Sequence, residues 1–196
     1  MENDIHRERF LVFDLEMTGL SPDNDSIIEI GAVPLYGMEP EGEMFFSPMR
    51  PYTIIGADSK RIHGLDGNQI LDAPPPDVVL PEFFNMMKGK ILVGQNPSLD
   101  LSFLWKAAKN IGGDIPHDWA IDISKIFSFV FPQNHLSLDA MAKTLKIRTH
   151  RENHNALEDA IITSKIFIRL VQLITKRGIY STRKVISIGK ASLEYK

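Results

Sequence analysis

Cysteine is absent from the 196 residues, which excludes disulfides, thiolate metal sites and a cysteine nucleophile. Long apolar runs are absent too. None approaches the roughly 18 residues of a membrane-spanning helix, so no membrane role is expected. The opening segment Met1-Glu2-Asn3-Asp4-Ile5-His6-Arg7 is polar and mixed in charge. It lacks the apolar core of a secretion signal, and a cytoplasmic location is the expectation. Net positive charge is also missing. At a formal charge of −3 the chain is ill suited to coating long duplexes through their phosphates. An enzyme that gathers carboxylates around metals can nevertheless be acidic and bind a phosphodiester locally. No repeat and no linker divides the sequence, and its length suits one compact domain with a substantial core.

The first third reads as strands over 8–14, 27–33 and 42–47, joined by the turns Ser21-Pro22-Asp23-Asn24-Asp25 and Gly37-Met38-Glu39-Pro40-Glu41-Gly42. Such short spacings suit an antiparallel meander. Residues 51–76 hold few periodic apolar positions and end in the stiff connector Ala73-Pro74-Pro75-Pro76. The remainder alternates. A helix is predicted over 78–87 with Val78, Val79, Phe83 and Met86 or Met87 inward, then a strand at Ile91-Leu92-Val93 and a helix over 97–110. A strand over 119–123 and helices over 124–130 and 137–145 follow. The last long helix, 156–176, is expected to bury Leu157, Ala160, Ile161, Ser164, Ile168, Val171 and Ile174. This order predicts an α/β fold with one mixed sheet, three antiparallel strands followed by parallel ones, and helices on its faces. Residues 1–178 form the expected domain. Residues 179–196 read as a basic tail or, through Val185-Ile186-Ser187-Ile188, an added strand; a basic tail of this kind could also touch a phosphate backbone.

Three acidic segments carry chemistry. In Phe13-Asp14-Leu15-Glu16-Met17-Thr18-Gly19-Leu20, Asp14 and Glu16 end an apolar strand and project from the same face, roughly 6–7 Å apart. Two acids so placed repel each other and are costly to desolvate, a cost that a divalent cation removes. In Asn96-Pro97-Ser98-Leu99-Asp100, Asn96 is a good helix cap, Pro97 fits the first helical position, and Asp100 lies near the helix's positive end. In His154-Asn155-Ala156-Leu157-Glu158-Asp159, five helical residues would turn through about 500°, so His154 and Asp159 cannot share a helical face. Asn155 resolves this by capping the helix with Glu158 three residues on, a variant capping box. His154 then sits on the loop outside and Asp159 in the first turns. Each segment alone fits an ordinary surface. All three at the ends of elements that can converge on one sheet edge make coincidence a poor explanation.

Together the segments Asp14-Leu15-Glu16, Asn96-x-x-x-Asp100 and His154-x-x-x-x-Asp159 resemble, in the same order, the three motifs of the DEDD superfamily of 3′–5′ exonucleases, His subtype. The resemblance implies a ribonuclease H-like fold and two divalent cations, for which oxygen-only ligands suit Mg²⁺ or Mn²⁺. It implies that Asp14, Glu16 and Asp159 hold one ion. Asp14 would bridge to the second, which Asp100 supports. His154 would serve as general base, its ordinary pKa of about 6.5 suiting proton abstraction near neutral pH. The reaction would be phosphodiester hydrolysis from a 3′ end, releasing 5′-mononucleotides.

Contacts to the terminal nucleotide would come from Thr18, Gly19 and Leu20, from Asn96, and from His63 in Ile62-His63-Gly64-Leu65, a segment similar to one in proofreading subunits. Phe103 could pack against a base or within the core. Met17, Gln95 and Leu99 depart from the common proofreading pattern without removing a ligand, and Met17 gives the first motif an oligoribonuclease-like form. The partner expected is therefore the 3′ end of a nucleic acid, DNA favoured over RNA, with a polymerase in trans an option. Trimming of RNA ends is one rival. A non-catalytic polymerase-associated subunit is the other, disfavoured because all four acids and the histidine are present. Oligomeric state is open.

Overall fold

The computed structural model describes residues 4–52, 70, 72–132, 137–149 and 155–194. Its centre is strand β1 (Arg9–Met17), an apolar run that pairs antiparallel with β2 (Ile27–Tyr36). The outer edge of β2 is shared by two short antiparallel strands, β3 (Glu39–Pro40) and β4 (Phe45–Pro48). On the other side of β1, β5 (Ile91–Gly94) runs parallel to it, and β6 (Trp119–Asp122) runs parallel to β5. Strand β7 (Lys190–Ser192) closes that edge antiparallel to β6. The expected mixed sheet is present, antiparallel first and parallel afterwards.

Alternation along β1 divides the core in two. Leu11, Phe13 and Leu15 face one side with helices α1 (Pro76–Met87) and α2 (Ser98–Asn110). Phe10 and Val12 face the other side with α3 (Ile123–Val130), α4 (Leu138–Thr144), α5 (Ala156–Thr175) and α6 (Thr182–Gly189). Among the described residues no helix is long and apolar enough to cross a membrane.

Four local expectations are corrected. Gly42 adopts a left-handed φ of 81° and the two residues after it are exposed, so the strand expected over 42–47 starts only at Phe45. Helix α1 starts at Pro76, and its phase buries Val79, Leu80, Phe83, Phe84 and Met87 while leaving Val78 59% exposed. Helix α5 buries more of its circumference than a single stripe because it is packed between the sheet and neighbouring helices. Ala156, Ile162, Thr163, Ile166, Phe167 and Leu170 are buried, and the expected Leu157, Ile161 and Ile168 are only partly so. The segment Val185-Ile186-Ser187-Ile188 lies in a helix, capped by the Ser181 hydroxyl accepting the Lys184 amide, and the added strand is the next one along the chain.

Candidate active site

The apolar stripe of β1 turns acidic halfway along one face. Phe10 and Val12 belong to the core beneath α5, and Asp14 and Glu16 continue the same face toward the strand's end. Across the ladder Asp14 is paired with Gly31 and Glu16 with Glu29; beyond them the register shifts, so that Met17 faces Ile27. A bulge at this point ends regular pairing and re-aims the chain where the acids leave the core.

Helix α5 brings the third acid. Its N-cap is Asn155, whose side-chain oxygen accepts the Glu158 amide at 2.8 Å, while the Asp159 amide donates to the Asn155 carbonyl at 3.1 Å. The predicted cap is therefore in place and fixes Asp159 in the first turns. One carboxylate oxygen each from Asp14, Glu16 and Asp159 lie within 4.8 Å of one another, all three side chains half-buried. Three carboxylates at this spacing repel strongly, and the positive end of α5 offsets only part of the repulsion. The set is oxygen-only and partly exposed, which fits a hard divalent cation.

Asp100 borders this group without belonging to it. Burial pushes its carboxyl up to about 7, and the nearby Glu16 carboxylate adds to the rise; hydrogen bonds from the backbone amides of Asp100 itself and Leu15 oppose it. The loop that carries it is set differently from the expectation. Asn96 does not cap α2. It is exposed with a left-handed φ of 49°, and its amide donates at 3.1 Å to Asp122 Oδ1, the oxygen that also accepts the Ser124 amide. Pro97 occupies the cap position, its carbonyl accepting the Leu101 amide at 2.9 Å. Asp122 thus ties the β5–α2 loop to the end of β6.

The remaining expected residues divide. Thr18 is committed to the β1–β2 turn: its amide donates to the Ser26 carbonyl, and its hydroxyl accepts the Ser26 amide and donates to Asp25. Gly19 makes room for the Asp25 carboxylate, which a Cβ there would strike, and Leu20 projects outward, 78% exposed. Phe103, on α2, is 2% exposed and belongs to the core cluster shared with α1 and the β1 face of Leu11, Phe13 and Leu15. His63 and His154 lie outside the described residues. Glu29 escaped the sequence reading. Its only signal there was a lone acid within the apolar run Ile27-Ile28-Glu29-Ile30.

A mixed sheet whose central strand and adjoining helix N-terminus converge three acids, with a fourth alongside, is an α/β scaffold with an acidic cluster suited to a divalent cation. The chain belongs to the Exonuclease family, whose pattern matches residues 11–167. It is 33% identical over 182 residues to a PolC-type DNA polymerase III of Caldanaerobacter subterraneus subsp. tengcongensis, a match covering 91% of this chain but 13% of that protein. It is 30% identical over 171 residues to the DNA polymerase III subunit epsilon of Buchnera aphidicola subsp. Schizaphis graminum, covering 82% of this chain and 73% of the relative. Among solved structures, exonuclease X in complex with 5′-overhanging duplex DNA superposes with a TM-score of 0.70 at 22% identity, covering 92% of this chain and 99% of the other. The nuclease domain of 3′hExo, a DEDDh family member bound to rAMP, gives 0.74 at 21% identity, covering 87% and 94%. At those identities the likeness is one of fold.

Proposed function

We propose that this chain is a 3′–5′ exonuclease that hydrolyses phosphodiesters from the 3′ end of single-stranded or frayed DNA and releases 5′-mononucleotides. The observation that carries the reading is the gathering of Asp14, Glu16 and Asp159 at the end of β1. These three would hold one Mg²⁺ or Mn²⁺; Asp14 would share a second, with Asp100 supporting it. Bound there, such ions supply Lewis-acid polarisation of the phosphate and ease ionisation of water at neutral pH.

The chain's own groups do the rest. Asp14 and Glu16 sit on a strand and Asp159 on a capped helix, so all three are pre-positioned. His154, next to the Asn155 cap, takes the proton from the attacking water. The exposed Leu20 meets the terminal base, beside a groove of about 220 Å³ that it lines with Trp105 and Lys106. Gly19, Asn96 and His63 complete the contacts to the last nucleotide. Thr18, whose hydroxyl accepts the Ser26 amide in the adjoining turn, and the buried Phe103 would support that set.

RNA is the second reading. It is favoured by Met17 in the first motif and by the rAMP held by a protein of the same fold. The discriminating experiment gives the purified chain matched single-stranded DNA and RNA oligonucleotides of one sequence with Mn²⁺. DNA is expected to be shortened at least several-fold faster; faster loss of RNA would reassign the substrate.

A further inference from the structure

Glu29 presents a problem that the proposed mechanism leaves unsolved. It is a carboxylate 5% exposed in a strand of apolar residues, a position that is costly unless its oxygens are hydrogen-bonded. Its side chain lies on the α5 face of the sheet, as Val33 and Leu35 do. There Oε2 accepts the amide of Ala156 at 3.3 Å. Ala156 is the first residue of α5 and fully buried, and its amide is one of those a helix cannot satisfy internally.

Two positions along the same face stands Gly31. A Cβ at that position would strike the Ala156 carbonyl and the Leu157 amide, so the start of α5 rests directly on the strand backbone. Glu29 and Gly31 thus grip the same helical turn, one by a hydrogen bond and one by close approach. They are also the ladder partners of Glu16 and Asp14. The gripping pair and the acidic pair stand side by side on neighbouring strands.

We propose that Glu29 and Gly31 form a seat for the N-terminus of α5, with Glu29 a positioning residue that sets Asp159 against Asp14 and Glu16. The proposal rests on the exonuclease reading for its consequence in catalysis, but not for its consequence in metal binding. Asn155 caps the helix from within and holds its first turn together, and Glu29 holds that turn to the sheet. Loss of the acceptor leaves the Ala156 amide buried without that partner and frees the helix end to shift. A displacement of about 1 Å at a ligand is enough to weaken a site severely.

The test compares Glu29→Ala and Glu29→Gln with wild type, since glutamine keeps an acceptor oxygen and loses only the charge. Three experiments are run: Mn²⁺ affinity by calorimetry, exchange of the Ala156 amide by NMR, and steady-state kinetics giving kcat and KM on a 5′-labelled oligo-dT strand. Glu29→Ala is expected to weaken Mn²⁺ binding and kcat by about 10–100-fold, as loss of a supporting partner of metal ligands does. KM should move little, and the Ala156 amide should exchange faster. Glu29→Gln should remain near wild type in all three. If the alanine variant does not fold, Glu29→Met fills the same space without an acceptor and is expected to behave as alanine would. Wild-type Mn²⁺ affinity in Glu29→Ala or Glu29→Met would overturn the proposal. Equal damage by glutamine would overturn it too, because the charge and not the acceptor would then matter. Inactivity of wild type on the strand would overturn the exonuclease reading alone, leaving Mn²⁺ affinity and amide exchange to judge the seat.

Discussion

Asp100 is an acid of the site whose surroundings shift its titration. Its carboxyl rises from the ordinary 3.8 to about 7 because its surroundings desolvate the charged form and the Glu16 carboxylate lies nearby. A raised acid keeps its proton longer when folded than when unfolded. Across the interval from about pH 4 to pH 7 the metal-free folded chain therefore binds more protons, and stability falls as pH rises. In chelator, the melting temperature of wild type should decline over this window relative to that of Asp100→Asn, which has nothing to titrate there. Adding Mn²⁺ at pH 8 should recover the loss in wild type, because the cation stabilises the ionised carboxyl. A pH-independent difference between the two proteins would contradict the assignment. At this scale the sequence was readable where chemistry announces itself: acids one residue apart at a strand's end are conspicuous. Glu29 was not, since an acid inside an apolar run acquires meaning only when the helix amide it accepts is known to lie above it.

Among the elements, α5 does most to assemble the site, and its start was the most legible boundary in the chain. Asn155 and Glu158 spell a capping pattern, and the side chain accepts the predicted amide at 2.8 Å. Asn155→Ala should lower unfolding stability by about 1 kcal/mol, the usual cost of an N-cap, measurable by urea denaturation. Because the cap fixes the turn that bears Asp159, the same variant should also need more Mn²⁺ to reach half-maximal activity. Unchanged stability would show that Asn155 does not carry the cap's energy. Other boundaries depended on tertiary context. Asn96 looks like a cap, yet Asp122, distant in sequence, draws its amide and forces a left-handed turn. Val185-Ile186-Ser187-Ile188 has the β-branched composition of a strand, but the Ser181 cap commits it to a helix that buries Val185. In α1 three consecutive apolar residues left the helical phase open, and packing chose Val79 and Leu80 over Val78.

Seen whole, the molecule is one sheet with its acids at the end of the central strand and helices on both faces, an arrangement expected from the order of elements. Residues 179–194 lie against this body: Lys125 donates to the Lys190 carbonyl at 2.7 Å, and the Lys190 ammonium lies 5.6 Å from the Trp119 ring centroid. The chain spans about 13% of the length of the PolC-type relatives it matches. The central claim, metal-dependent removal of nucleotides from a 3′ end by the Asp14 cluster, has a direct test. A single-stranded DNA labelled at its 5′ end is incubated with Mn²⁺ and either wild type or Asp14→Ala, and the products are resolved by length. Wild type should yield a ladder of labelled strands shortened one nucleotide at a time, abolished by chelator and by Asp14→Ala. Release of the label as a mononucleotide from intact strands, or the same ladder from Asp14→Ala, would contradict the account.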